Sequence, residues 1–372
     1  MEHLAEIIAQ FAFQGEHAGE EVCTDGHIND TYFLEFRDGE KKRRYVLQRI
    51  NSHVFRDPAG VMANIEAVTS HIRQKVTEQG GDPEREVMTV ISTRSGKPYY
   101  RCSQGEYWRA YNFIEGARTY QKVEDPVHFY HAGRSFGQFQ LLLADFPADS
   151  LQETIPSFHD TRRRFQDLLQ AIEADPKGRV AQVKQEIAFV LEREADTGVI
   201  VDLIASGEIP LRVTHNDTKL NNIMLDDETG EGICVLDLDT VMPGSALYDF
   251  GDAIRFGAST AEEDETDLDL VSVDLELFTE FARGYLSMAR DFLTPAEIDH
   301  LAFSVKLITL ETGIRFLTDY IEGDVYFRTA YPEHNLHRAR TQFKLVEEME
   351  ALMPKMEEII RSILAGGLEA GA

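Results

Sequence analysis

The sequence predicts an α+β fold with two lobes, a small antiparallel β-sheet lobe followed by a mostly helical lobe. Short β-type runs are concentrated before residue 113, helical periodicity dominates after residue 126, and one β-hairpin interrupts the helical part at residues 213–239. The chain has 372 residues, of which 43% are hydrophobic, which is enough for two lobes with a core in each.

The amino-terminal lobe is predicted to cover residues 1–111. Apolar residues at helical spacing predict an amphipathic helix over residues 1–15. Runs rich in β-branched and aromatic residues then predict a small five-stranded antiparallel sheet. Six candidate runs for these strands lie at residues 22–24, 31–36, 44–50, 87–93, 98–101 and 106–113, with a helix at residues 64–79.

A hinge is predicted at residues 112–116, and the helical lobe is predicted to cover residues 117–372. Apolar residues recur there with the period of an α-helix. The predicted helices lie at residues 129–143, 165–174, 180–205, 249–256, 278–292, 300–317 and 343–364.

The hairpin carries most of the predicted chemistry. An extended run stops at His215, where a polar loop begins. Two short apolar strands follow, at residues 223–225 and 233–236, on either side of an acidic turn that contains glycine. The loop and the two strand ends therefore place several polar side chains beside one hairpin.

The pairing of these strands predicts a metal site. If residue 226 lies opposite residue 233, then Asn222 lies opposite Asp237 at the open end of the hairpin, with Cβ atoms about 5 Å apart. Mg²⁺ takes a few protein oxygens and completes its shell with water and phosphate. Asn222 and Asp237 are therefore the predicted metal ligands, and Asp217 in the loop is left to act as a base.

This spacing resembles the motif of the phosphotransferase superfamily that includes protein kinases and aminoglycoside kinases. That motif has an Asp, an Asn five positions later and an Asp at the end of the next hairpin strand. The resemblance implies a protein-kinase-like fold that uses ATP and Mg²⁺.

Two further acidic residues lie close to the motif. Asp249-Phe250-Gly251 spells the magnesium-binding tripeptide of protein kinases, but it does not follow a β-branched run. We predict that it starts a helix and that Asp249 caps or anchors the catalytic loop. Asp239 is expected either to reach a second Mg²⁺ or only to hydrogen-bond the loop.

The superfamily resemblance also implies a nucleotide-binding surface on the amino-terminal lobe. Either Gln48 or Arg49 is expected to face the phosphates, because strand alternation turns only one of them into the cleft. Glu66 is expected to position the phosphate-binding cation, for which Arg49 is available, or else to be a plain surface residue. Asn112 and Ile114 lie in the hinge, where backbone N–H and C=O groups are offered to an adenine edge.

Longer blocks resemble the bacterial N-acetylhexosamine 1-kinases. They lie at residues 25–29, 213–222, 236–245, 313–327 and 331–336, which extend over nearly the whole chain. The resemblance implies that ATP phosphorylates the anomeric hydroxyl of N-acetylglucosamine or N-acetylgalactosamine, giving the sugar 1-phosphate.

The same resemblance implies that His27, Arg315 and Tyr326 contact the sugar together with Asp217. These hydrogen-bonding side chains suit a neutral sugar that carries hydroxyls and one amide. A substrate without those groups leaves the side chains unpaired and is therefore bound less well. His27 could instead face solvent from its turn, and Tyr326 could be a core residue.

Other polar residues have structural interpretations. Arg315 could form an ion pair with Asp319 or Glu322 on its own helix. His215 is expected to hold the loop, and His334 and His337 are expected to be structural because no third metal ligand is obvious near them.

The composition excludes some partners. Asp plus Glu number 65 against 37 Lys plus Arg, and the formal net charge of −28 disfavours nucleic acid and anionic membranes as partners. The three cysteines, Cys23, Cys102 and Cys234, are scattered and odd in number, which is typical of the cytoplasm. No signal peptide or membrane-spanning run is predicted.

Two rival interpretations remain open at the level of the sequence. The first is a kinase of another small alcohol, such as an aminoglycoside, choline or homoserine. The second is a catalytically inactive binding module, which the presence of Asp217, Asn222 and Asp237 together argues against.

Overall fold

The structure is a computed structural model that describes residues 2–23 and 28–366 of the chain. It combines a small antiparallel sheet with a largely helical part, which confirms the predicted α+β fold class. In chain order, the strands are β1 (Glu16–Cys23), β2 (Asp30–Asp38), β3 (Lys41–Ile50), β4 (Tyr100–Arg101), β5 (Tyr107–Asn112), β6 (Ala117–Arg118), β7 (Arg212–Thr214), β8 (Ile223–Asp226), β9 (Gly232–Val235) and β10 (Met242–Gly244). The α-helices are α1 (Glu2–Ile8), α2 (Pro58–Glu78), α3 (Pro126–Leu142), α4 (Thr161–Ala174), α5 (Lys184–Leu191), α6 (Val199–Ser206), α7 (Ala246–Gly257), α8 (Leu275–Ala289), α9 (Pro295–Asp299), α10 (Leu301–Glu322) and α11 (His334–Leu364).

The chain forms two compact units. The first consists of Met1–Arg118, Asp145–Pro156 and Met224–Pro243, and the second consists of Thr119–Ala144, Ser157–Ile223 and Gly244–Ala372. The first unit therefore takes in two later segments that the sequence pattern does not indicate.

The first unit is built on a five-stranded antiparallel sheet with the order β1-β2-β3-β5-β4. Alternate residues of its strands, among them Leu34, Leu47 and Trp108, pack with Ile7 and Phe11 in one core. The predicted number of strands is correct. The predicted strand at residues 87–93 is wrong, because the strand pairing of this segment is limited to isolated bridges and does not form a continuous ladder.

The first helix is shorter than predicted. It ends at Ile8, and Phe11 forms a bridge with Thr93 before β1 begins at Glu16. Phe11 and Phe13 are both buried, with an exposed residue between them. Buried residues therefore alternate here with the period of two that is typical of a strand and not of a helix.

A second, three-stranded sheet in the first unit has the order β6-β8-β9. Its turn is closed by the Asp226 N–H, which donates to the Glu231 carbonyl at 2.8 Å. Asp226 is therefore bonded to residue 231 and not to residue 233, so the predicted register of this hairpin is wrong. The argument that placed Asn222 directly opposite Asp237 loses its basis in that register.

Helix starts follow Asp-Pro and Thr-Pro pairs. The Asp57 carboxylate accepts the Gly60 N–H at 3.0 Å, and the Asp125 carboxylate accepts the Val127 N–H at 2.9 Å. Proline at the first helical position loses no hydrogen bond there. These caps start α2 and α3 earlier than apolar periodicity alone predicts.

The second unit contains the helical core, in which α10 packs on α4, α7 and α11. The predicted single helix at residues 180–205 is wrong, since the chain there forms a 3-10 turn, α5, a second 3-10 turn and then α6. Gly198 ends one such turn and leaves room for the Arg162 guanidinium, which pairs with Asp202 in α6. Within the described residues, no helix combines the length and apolar character needed to cross a membrane.

Glycines allow α3 and α8 to approach closely. A Cβ atom at Gly133 would overlap the Phe281 carbonyl oxygen, and one at Gly284 would overlap the Tyr130 carbonyl oxygen. Backbone atoms cannot move aside as a flexible side chain can, so this helix pair requires glycine at both positions.

We expect Gly133→Ala to lower the free energy of unfolding by about 1–3 kcal/mol, the usual cost of overpacking a core. Urea denaturation measures the change. Gly19→Ala is the control, because a Cβ atom at Gly19 meets nothing within 4 Å; its effect should stay within about 0.5 kcal/mol. Equal effects of the two substitutions would contradict the close approach.

Candidate active site

The loop from His215 to Asn222 is held by two buried carboxylates of α7. Asp249 accepts the backbone N–H groups of His215 at 2.9 Å and Asn216 at 2.8 Å. Asp252 accepts the Thr218 N–H at 3.0 Å. The prediction that Asp249 anchors this loop is confirmed, and it lies in the first turn of α7.

The anchor is a charged group in an apolar environment. Burial raises the pKa of Asp249, although its N–H donors and the Gln140 side chain, which donates at 2.6 Å, oppose this effect. Asn216 is held at φ 64°, a left-handed conformation that is uncommon outside glycine. Several hydrogen bonds therefore fix an otherwise unfavourable loop conformation.

His215 is a structural residue, as its sequence context suggests. It is buried, and its Nδ1 atom lies 3.3 Å from the Asp217 N–H, which donates to it. Its ring packs edge-on against Phe136 and Phe139 of α3. His215 thus orients the backbone of the proposed base.

The Asp217 carboxylate is partly exposed and has two polar neighbours. Lys219 Nζ lies 2.8 Å from Oδ1, and Asn222 Nδ2 lies 3.2 Å from Oδ2. Asn222 Nδ2 also donates to the Asp217 carbonyl at 2.7 Å. Burial alone would lower the pKa of Lys219, but Asp217 raises it, so the side chain stays an ammonium. The sequence analysis missed Lys219, although a lysine between a base and a metal ligand is a usable signal.

In the first unit, Asp237 and Asp239 have different environments. Asp237 is exposed and has a φ of 53°, at the start of a 3-10 turn that continues through Thr240. Asp239 is buried, accepts a bidentate pair of hydrogen bonds from Arg109, and accepts a third from Asn29 at 2.8 Å. Its two oxygens are thus used by protein donors, which favours the hydrogen-bonding alternative over a second Mg²⁺.

Arg109 on β5 is the cation that the sequence analysis missed. Burial alone would lower its pKa, but Asp239 and the surrounding groups raise it. Its Nε donates to Gln48 Oε1 at 3.0 Å, and Gln48 Nε2 donates to Thr31 Oγ1 at 3.0 Å. A single arginine within the apolar run Tyr107–Asn112 is the signal that could have identified it.

The structure decides which of Gln48 and Arg49 points inward. Gln48 joins the buried Arg109 network, whereas Arg49 is on the exposed face and pairs with Asp30 and Glu106. The expected pairing of Arg49 with Glu66 is therefore corrected. Glu66 lies on the exposed face of α2.

Asn64 is a buried polar residue of α2 whose side chain binds two other segments of the first unit. Its Nδ2 donates to the Val241 carbonyl at 3.0 Å and to the Gln152 carbonyl at 2.8 Å, and its Oδ1 accepts the Gln152 N–H at 2.9 Å. It thereby fixes the segment that follows Asp239. Glu66 lies two positions further along the helix, on another face.

The predicted hinge begins at the last residue of β5. Asn112 Nδ2 donates to Glu84 at 2.8 Å, and Ile114 is buried against Met224 and Cys234. Within the described part of the chain, the Ile114 backbone N–H and C=O have no hydrogen-bond partner. Free backbone groups at this position are consistent with the expected adenine contact, which stays a prediction.

Arg315 lies on α10 among three aromatic rings. Its guanidinium carbon is 5.2 Å from the Phe158 ring centroid, 6.0 Å from that of Tyr326 and 5.5 Å from that of Phe327. Within the described residues it has no carboxylate at ion-pair distance. Tyr326 is 63% exposed, so its interpretation as a core residue is wrong.

Asp319 has another role than the pairing considered for Arg315. It accepts the backbone N–H groups of Val325, Tyr326 and Phe327 at 2.9, 2.8 and 2.9 Å. The carboxylate therefore fixes the loop that carries Tyr326 beside Arg315.

A second arginine, Arg164 of α4, lies close to Arg315. Burial and the neighbouring Arg315 guanidinium hold the pKa of Arg164 below its usual value. Its Nη2 donates to the Phe158 carbonyl at 3.1 Å, and its buried Nε has no hydrogen-bond partner. Sequence patterning did not identify Arg164, because it is one of three consecutive arginines at the start of α4.

The remaining predicted residues are three histidines. His27 lies outside the described residues. His334 Nδ1 accepts the Ala330 N–H at 3.0 Å and its Nε2 lies 3.1 Å from Asp264, while His337 Nδ1 lies 3.2 Å from the Tyr331 hydroxyl. These contacts support the structural interpretation of both histidines.

Comparison with known proteins identifies related folds. A family model described as "Phosphotransferase enzyme family" matches residues 20–287. The structure of a microcompartment-associated aminopropanol kinase is similar, with 16% identity and a TM-score of 0.60 over 96% of this chain and 99% of that chain. An aminoglycoside phosphotransferase from Alicyclobacillus acidocaldarius matches with 13% identity and a TM-score of 0.61 over 96% of each chain. A spectinomycin phosphotransferase in complex with ADP and spectinomycin matches with 14% identity and a TM-score of 0.53 over 98% of each chain. At these identities the likeness establishes the protein-kinase-like fold.

We expect Arg109→Met and Asp239→Leu each to lower the free energy of unfolding by about 3–5 kcal/mol, because each leaves a buried charge without its partner. The double variant should lose much less than the sum of the two, since it leaves no unpaired charge. Urea denaturation of the four proteins measures this coupling. Strictly additive losses would show that the two side chains do not stabilise each other.

Proposed function

The chain belongs to the phosphotransferase enzyme family, and on this basis we propose that it is an ATP-dependent kinase of N-acetylhexosamines. The proposed reaction transfers the γ-phosphoryl group of ATP to the anomeric hydroxyl, giving the sugar 1-phosphate and ADP. The observation that carries the choice of acceptor is the Arg315 guanidinium, which lies among aromatic rings with no carboxylate partner in the described residues.

Asp217 is the proposed general base. Its side chain is 29% exposed, so an acceptor hydroxyl can reach it. It would take the proton of the anomeric hydroxyl as that oxygen forms its bond to the γ-phosphorus and the bond to the ADP oxygen breaks. The contacts of His215 and Asn222 hold the base in place, and positioning is the main source of catalysis in phosphoryl transfer.

Asn222 and Asp237 are the proposed ligands of Mg²⁺. The Asn222 amide nitrogen is engaged by Asp217, and within the described residues its Oδ1 has no hydrogen-bond partner, so an oxygen is left for a hard cation. Asp237 adds an exposed carboxylate. When bound, the ion neutralises charge on the phosphate oxygens.

The nucleotide is proposed to use the first unit. The backbone of Ile114 offers its N–H and C=O to the adenine edge, next to Asn112. Of the two candidate residues on β3, Gln48 faces the network that contains Arg109 and Asp239, so it is the better candidate for the phosphate side. Arg49 is already paired on the exposed face.

The acceptor is proposed to contact Arg315 and Tyr326, and His27 by family resemblance. An N-acetyl carbonyl and sugar hydroxyls accept hydrogen bonds from a guanidinium, and the sugar ring has apolar faces that can pack on aromatic rings. Arg164 and Arg315 lie close enough to repel one another. The anions beside them, Glu311 and Asp167, are already paired with protein donors, so neither is left for an ammonium group. This favours an acylated amine over a free one.

A kinase of an amino alcohol is the second candidate, because one similar structure is that of an aminopropanol kinase. That acceptor is a cation at neutral pH and needs a carboxylate in its pocket. Arg315 and Arg164 instead offer two guanidinium groups, and the Glu311 carboxylate beside them is buried and already hydrogen-bonded. An inactive binding module is the remaining rival, and Mg²⁺-dependent consumption of ATP with any acceptor would exclude it.

We expect Asp217→Asn to fold normally and to lose about 10²–10⁴-fold in kcat, the range for loss of a general base. The measurement is ADP release with N-acetylglucosamine or N-acetylgalactosamine at saturating ATP and Mg²⁺. Asp291→Asn, at a side chain that is 90% exposed, is the matched control and should keep full activity. Wild-type turnover by the Asp217 variant would remove this residue from the chemistry.

Acceptor choice can be tested with Arg315→Gln. Hydrogen bonds to a charged group contribute about 1.5–3 kcal/mol, so kcat/KM for N-acetylglucosamine should fall by roughly 10–150-fold. Arg290→Gln, at a side chain that is 54% exposed, is the control. The wild-type protein should prefer N-acetylated sugars over glucosamine and ethanolamine. A preference for the two free amines would favour the amino alcohol kinase instead.

A further inference from the structure

Three potential metal ligands that have no role in the proposed reaction meet in the first unit. They are His3 of α1, Cys102 just after β4, and Glu106 just before β5. His3 Nε2 lies 3.3 Å from Glu106 Oε2, and Cys102 Sγ lies 3.9 Å from the same oxygen. All three ligand atoms lie within 4.8 Å of one another.

A tight turn holds two of these ligands together. The Cys102 N–H donates to the Glu106 carbonyl at 2.9 Å, and the Gly105 N–H donates to the Cys102 carbonyl at 3.0 Å. Gly105 has a φ of +86°, which a side chain would disfavour. The third ligand comes from α1, where the His3 ring contacts Trp108 edge-on with centroids 6.3 Å apart.

The donor set is that of a zinc site. Zn²⁺ binds thiolate, imidazole and carboxylate in tetrahedral geometry with bonds of about 2.0–2.3 Å, so its ligand atoms lie roughly 3.3–3.8 Å apart. The separation of His3 and Glu106 already matches this range, whereas Cys102, which is 3.9 Å from Glu106 and within 4.8 Å of His3, has to move inward. We propose that His3, Cys102 and Glu106 bind one Zn²⁺ ion, with water as the fourth ligand.

The charges around the cluster suit a divalent cation. Arg49 pairs with the second oxygen of Glu106 and also with Asp30. With Cys102 as a thiolate, three negative charges from Cys102, Glu106 and Asp30 balance Arg49 and Zn²⁺. Binding breaks the S–H bond of Cys102 and releases its proton to solvent, without any change in oxidation state.

The site is chemically distinct from the proposed Mg²⁺ ligands. Asn222 and Asp237 offer only hard oxygen donors, whereas the cluster offers sulfur and nitrogen, which Mg²⁺ binds poorly. An ion held by α1 and by the β4–β5 turn would cross-link two elements of the first unit. Zn²⁺ should therefore stabilise this unit, independently of the proposed function.

The test uses the full-length protein without an affinity tag. Titration with Co²⁺ should produce one equivalent of a thiolate-to-cobalt charge-transfer band in the near ultraviolet, and Zn²⁺ should abolish that band. Thermal melting should show a higher Tm with Zn²⁺ than with a chelator. Cys102→Ser should lose the band, and His3→Asn, at a partly exposed residue, should weaken cobalt and zinc binding at least tenfold.

The controls are Cys234→Ser, at a buried free thiol, and Cys23→Ser, at a half-buried one. Both should keep the charge-transfer band. Circular dichroism checks that Cys102→Ser is folded, and His3→Asn keeps the test decisive if it is not. Absence of a thiolate band in the wild-type protein, or a band that survives both Cys102→Ser and His3→Asn, would overturn the proposal.

Discussion

The buried ion pair between Arg109 and Asp239 is the interaction on which the proposed chemistry of the first unit depends. Asp239 has two oxygens, and three donors from Arg109 and Asn29 use both of them. This fixes the backbone two residues after Asp237, whose positive φ is unfavourable for a residue other than glycine. The cost of burying two charges is offset only when both are hydrogen-bonded, and here all three Arg109 nitrogens donate while both Asp239 oxygens accept.

The second unit also contains a buried carboxylate that fixes the backbone close to a more exposed one. Asp249 is buried and accepts two backbone N–H groups. The partly exposed Asp217 follows directly after the two residues whose backbone is fixed in this way. In each motif one acid is buried as an anchor and another is left partly exposed. A base or a metal ligand requires an accessible carboxylate on a fixed backbone. Because the backbone is already fixed, no further free energy is needed to position the carboxylate during the reaction.

Local patterns predicted the local structure well. The strands β8 and β9, the anchoring role of Asp249 and the fold class follow from periodicity, turn residues and spacing. Arg109 was missed because its partner lies 130 residues away, and no local pattern reports such a pair. The choice between Gln48 and Arg49 was left open for a related reason: alternation gives two faces, and only the packing of β5 against β3 decides which is buried.

Glu311 is a buried carboxylate that interacts with Arg315 on the acceptor side of the proposed site. Burial alone would raise the pKa of this residue, but His159, Arg315 and Thr161 together lower it, so it is an anion. Its two oxygens are already engaged by His159 Nδ1 at 2.8 Å and by the Thr161 hydroxyl at 2.5 Å. This carboxylate is fully buried and cannot serve an ammonium group of a ligand. The charge left for an acceptor is that of Arg315, which suits oxygen acceptors such as an amide carbonyl and hydroxyls.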